Sequence, residues 1–107
     1  RTLPERVTPG HALVSPETVA DQGPCLYMMA YKDIWWEVWS EEGDEVIATS
    51  RDSWLEKEIA GGRMFFDVYD GYDSGRDTFT YRFFLPSGHY RVTFRNFDEE
   101  MVFKVTL

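Results

Sequence analysis

Apolar and polar residues alternate with a period of two over most of the chain, the pattern of strands that bury one face. In Thr78–Leu85 the residues Phe79, Tyr81 and Phe83 share a face. His89–Asn96 turns Tyr90, Val92 and Phe94 inward and His89, Arg91, Thr93 and Arg95 outward. Met101–Leu107 repeats the pattern with Met101, Phe103, Val105 and Leu107. Earlier, Ile34–Ser40 alternates through Ile34, Trp36 and Val38, and Glu41–Asp44 reads as a turn into a return strand at Glu45–Ser50. A Gly-containing loop between two such runs is a hairpin signal. Cys25–Tyr31 and Arg63–Tyr69 read as further short strands, and Pro86-Ser87-Gly88 and Phe97–Glu100 as turns.

One segment carries a competing signal. Between Arg51 and Ala60, Ser53 and Glu56 have capping-box spacing, Leu55 and Ile59 stand at i and i+4, and Gly61 suits a C-terminal cap. The expectation there is at most one short helix, near residues 53–60. Residues 1–24 hold Pro4, Pro9, Pro16 and Pro24 with Gly10 and Gly23. That density predicts an irregular Pro-rich arm or linker, with one short strand at His11–Ser15. Residues 25–107 are then a single domain: an all-β antiparallel sandwich, jelly-roll or immunoglobulin-like, of roughly seven or eight short strands. Its expected core is Trp36, Val38, Ile47, Phe66, Val68, Phe79, Tyr81, Phe83, Tyr90, Val92, Phe94, Phe103 and Val105.

Composition supports a folded domain, since 43% of the 107 residues are hydrophobic and 17% aromatic. The formal charge of −8 sets nucleic acid aside, because phosphate binding draws on lysine and arginine. Anionic membrane surfaces are disfavoured for the same reason. No run of apolar residues is long enough for a membrane-spanning helix. The single cysteine, Cys25, excludes an intrachain disulfide and reads as a small buried hydrophobe. The chain starts at Arg1, which suggests a processed product or part of a larger protein; an extracellular or periplasmic setting is the favoured expectation.

The stretches WEVWSEEGDEVIATS, FTYRFFLPSGHYRVTFRNF and MVFKVTL resemble small accessory β-sandwiches, namely the Golgi-dynamics (GOLD) domain and the bacterial pre-peptidase C-terminal domain. Both carry such a hairpin and close with an aromatic strand, a Pro/Gly turn and a further aromatic strand. In the GOLD pattern Cys25 would match the first of two paired cysteines, and Thr93 stands where the second falls. The resemblance implies a binding or accessory role without an active site.

Three constellations carry candidate chemistry. Trp35, Glu37 and Trp39 share the face of their strand opposite Ile34, Trp36 and Val38. Aromatic rings bordered by a carboxylate suit a sugar; the plainer alternative is a strand covered on both faces, with the tryptophans in the core. The loop Asp70–Asp77, with Asp67 before it, sets Asp67, Asp70, Asp73 and Asp77 where their oxygens can hold calcium, outside the EF-hand spacing and with Arg76 among them. The alternative is a solvated loop whose Asp and Gly residues satisfy turn geometry. Tyr69 and Tyr72 would make it a protein-contact tip. Finally, Asp33–Glu58 holds nine acidic residues against Arg51 and Lys57, which can steer a basic partner or simply wet a surface.

Catalysis finds no motif. His11 and His89 lie in no nucleophile or metal pattern, Cys25 has no base near it in sequence, and Gly61-Gly62 lacks the Lys-Ser/Thr of a phosphate loop. The expectation is a non-catalytic binding or accessory module acting through protein–protein contact. A carbohydrate-binding module, calcium-supported in one version, is the first alternative. An acidic inhibitor or immunity-type protein capping a basic site is the second.

Overall fold

The period-two segments form nine antiparallel strands, and the described residues contain no helix. The computed structural model describes residues 12–96 and 99–107, without the side chains of residues 12, 13, 67–71 and 96. In chain order the strands are β1 (Ala12–Val19), β2 (Gly23–Tyr31), β3 (Trp35–Ser40), β4 (Glu45–Thr49), β5 (Trp54–Ile59), β6 (Gly62–Asp73), β7 (Thr78–Phe84), β8 (His89–Asn96) and β9 (Glu99–Thr106). One sheet runs β1-β2-β7-β6-β5 and the other β4-β3-β8-β9. Their packing is the antiparallel β-sandwich the alternation predicts.

Hairpins supply neighbours close in sequence; the pairs β2–β7 and β3–β8 join strands far apart in it. The chain passes between sheets at residues 32–34, 50–53 and 85–88. At the last of these, the Tyr90 hydroxyl donates to the Pro86 carbonyl at 2.6 Å, which ties the start of β8 to the loop. The β5–β6 turn places Gly61 at φ 91°, where a side chain would be strained.

The core lies between the sheets. Trp36, 1% exposed, reaches from β3 to meet Tyr81, Phe83 and Phe66 of the facing sheet edge-on, with ring centroids 5.0, 5.7 and 6.2 Å away. Such edge-to-face pairs add to the burial of apolar area itself. Val38, Ile47, Phe66, Tyr81, Phe83, Tyr90, Val92, Phe94, Phe103 and Val105 are buried as the alternation predicts, and Phe79 packs against them half-buried. Val68 lies outside the described side chains.

Four expectations are corrected. Residues 54–59 form strand β5 instead of a helix, with Trp54, Glu56 and Glu58 outward and Leu55, Lys57 and Ile59 half-buried. A spacing of four belongs to both periodicities, so Leu55 and Ile59 did not discriminate; six residues of isolated helix are marginal, and the ladder to β6 satisfies the backbone instead. The Pro-rich stretch is irregular nowhere from Ala12 to Val19: β1 pairs with β2 throughout, with Pro16 opposite Leu26. An edge strand tolerates proline because one side of its backbone needs no partner. Pro24 lies just before the β2–β7 ladder, which starts at Cys25. The acidic loop is shorter than expected, since β6 runs on to Asp73 through an irregularity between Tyr69 and Tyr72, leaving a turn at 74–77. Thr93, expected in solvent, is buried on the outer face of its sheet.

Candidate binding surfaces

Thr93 is covered because the outer face of the four-stranded sheet carries its own polar layer. Strand β3 puts Trp35, Glu37 and Trp39 on that face, all half-buried. Both indoles donate to one carboxylate: Trp35 Nε1 to Glu37 Oε2 at 3.2 Å, and Trp39 Nε1 to Glu37 Oε1 at 3.1 Å. Arginines complete the row. The Arg51 guanidinium stands 5.6 Å from the Trp35 ring centroid, and Arg91 stands 4.1 Å from that of Trp39 while pairing with Glu41 at 3.1 Å. The three predicted residues are thus brought together on one half-buried outer face. They are not in the core, and they are not free. Each oxygen of Glu37 accepts one indole N–H, and each indole has a guanidinium over it.

The second constellation is also self-engaged where it is described. The Tyr72 hydroxyl donates to Asp77, whose carboxylate pairs with Lys32 Nζ at 3.6 Å, and Lys32 lies over the Tyr72 ring. The hydrogen bond to Asp77 is the main cause of a raised Tyr72 pKa, and Asp77 is the main cause of a raised Lys32 pKa. Asp73 accepts the Gly75 N–H at 2.9 Å and lies 4.0 Å from Arg76. Asp77 itself adopts φ 60°, the left-handed turn conformation that aspartate tolerates. The side chains of Asp67, Tyr69 and Asp70 lie outside the description. Among the described residues, no three His, Cys, Asp or Glu side chains are grouped to hold a metal ion.

Other chemistry-bearing groups are structural in their surroundings. Burial, and then the Glu17 carboxylate, push the Cys25 thiol up, away from the thiolate a nucleophile needs. His89 shares a hydrogen bond with Thr106, and its backbone N–H donates to the Glu42 carboxylate. His11 lies outside the described residues.

A third surface was missed by sequence reasoning. On the outer face of the five-stranded sheet, β5 presents Trp54, 56% exposed, with its ring edge-on to Phe65 at 6.2 Å. Phe65 of β6 stacks on Phe84 of β7 at 6.4 Å and 21°. Beside this strip an open groove of about 370 Å³ is lined mostly by apolar residues, among them Phe65, Phe84, Leu85 and Pro86, together with Glu56 and Arg63. Those two form an exposed ion pair at 3.2 Å. The available signal was partial: Leu55 and Ile59 stand four apart ahead of Gly61-Gly62, which suits a hairpin, but Lys57 between them breaks the apolar alternation.

No protein-family model, no curated protein and no solved structure matches the chain.

Proposed function

We propose that the chain is a non-catalytic binding module that contacts a protein partner through the Trp54–Phe65–Phe84 strip. The observation that carries this reading is the exposure of Trp54 at the head of a contiguous aromatic row beside an apolar groove. A tryptophan left in water gives up the burial that other large aromatics of this chain obtain. Contiguous exposed apolar surface of this kind marks contact sites, and tryptophan is over-represented among the residues that dominate binding energy. The accessory role implied by the resemblance to small β-sandwich domains agrees with it. The carbohydrate alternative relied on Trp35, Glu37 and Trp39, whose polar groups already satisfy one another.

The test is selection from a displayed random-peptide library against the folded chain, alongside a glycan array. Peptides are expected to be recovered, and Trp54→Ala should weaken them about thirtyfold while leaving the melting temperature nearly unchanged. Sugar binding that depends on Trp35 or Trp39, with no peptide recovered, would replace this reading by the carbohydrate one.

A further inference from the structure

The two outer faces of the sandwich carry the same short pattern in different states. Trp35-Trp36-Glu37 on β3 and Trp54-Leu55-Glu56 on β5 each place an indole and a carboxylate two residues apart on one face. In the first, the indole donates to the carboxylate and a guanidinium covers the ring. Trp39, on the same row, has its own guanidinium from Arg91. In the second, Glu56 is turned to Arg63, and among the described residues no cation lies over Trp54. The same row continues to Glu58, exposed and opposite Arg63 in the ladder, with that guanidinium turned to Glu56 and no ion pair at Glu58 among the described residues. An indole face next to carboxylates is a receptor for guanidinium or ammonium; among the described residues Arg63 serves Glu56, and none covers the Trp54 ring.

Two further observations bear on what would cover the row. The chain carries −8 overall, so long-range steering favours a cationic partner. The approach is to the face and not to the edge. Lys57 is the inward-facing, half-buried residue between Glu56 and Glu58 on an edge strand, a charge that opposes addition of another strand.

We infer that Trp54, Glu56 and Glu58 receive an arginine or lysine from an extended basic segment of a protein partner, whose apolar neighbours lie in the groove that begins at Phe65. This rests on the protein-contact reading above and names its partner's chemistry.

The experiment takes the peptides recovered from the displayed library and measures their affinity for the wild type, Trp54→Ala and Glu58→Gln at low and moderate salt. Enrichment of arginine and lysine over aspartate and glutamate is expected. Affinity should fall about tenfold as salt rises from 50 to 300 mM, and Glu58→Gln should cost a few-fold. Peptides that depend on Trp54 but lack basic residues, or ignore both salt and Glu58→Gln, would overturn the inference and leave the protein-contact reading standing. Failure to recover any Trp54-dependent peptide would overturn both. Glu58 is exposed, so its variant is expected to keep the fold, which an unchanged melting temperature checks.

Discussion

At the scale of single residues, Tyr90 joins burial to a polar tie. Its ring is 1% exposed, and its hydroxyl donates to the Pro86 carbonyl where the chain changes sheets. Burial, and then the nearby Glu42 carboxylate, push the phenol up to about 12 from a usual 10.0. The fold therefore favours the neutral phenol. That contribution is complete below about pH 10, where the unfolded phenol is still protonated, and is lost as the pH rises from about 10 through about 12. An ultraviolet titration of tyrosinate should show a late step that Tyr90→Phe removes; a Tyr90 that ionises near 10 counts against this. Tyr90→Phe should also cost about 1 kcal/mol in a denaturant melt at neutral pH, the net worth of one hydrogen bond. Glu37 makes the complementary point. A carboxylate with an indole donor on each oxygen organises two tryptophans, a relation that neither residue type nor spacing reveals.

Strand β5 shows how an element can be misread and why. Its Leu55 and Ile59 satisfy a helical spacing and a strand spacing equally, and Ser53 just before it imitates a capping box with Glu56. What decides is β6, which pairs with it from Trp54↔Asp67 to Ile59↔Gly62. Once paired, the strand has an open outer edge, because it ends its sheet. Lys57 on the inner side and Glu56 and Glu58 on the outer side are charges of the kind that disfavour pairing at an open edge. Lys57→Val is expected to retain the fold and to self-associate, seen as dimers or larger species in sedimentation at concentrations where the wild type does not form them. A variant that sediments like the wild type would show that the neighbouring carboxylates suffice.

At the scale of the whole molecule, the two sheets are held by aromatic side chains that meet across the core, with Trp36 at their centre. Trp36→Ala removes that bridge and should cost about 3–5 kcal/mol, a large part of the roughly 5–15 kcal/mol that small domains possess. Trp54→Ala, at the surface, should cost little by comparison. Near-ultraviolet circular dichroism with a thermal melt separates the two, and equal destabilisation would mean that Trp54 belongs to the core after all. The sequence by itself determined the β class, the faces of β3, β7, β8 and β9, and most of the core, because period two writes burial directly into residue order. It also placed Trp35, Glu37 and Trp39 on one face. It did not tell core from contact surface, because that depends on which strands become neighbours. Only the tertiary pairing of β3 with β8 brought Arg91 over Trp39, and only the pairing of β5, β6 and β7 lined up Trp54, Phe65 and Phe84. These contacts join residues on separate strands, and no local pattern encodes which strand lies next to which; that choice is made by packing two whole sheets around one core.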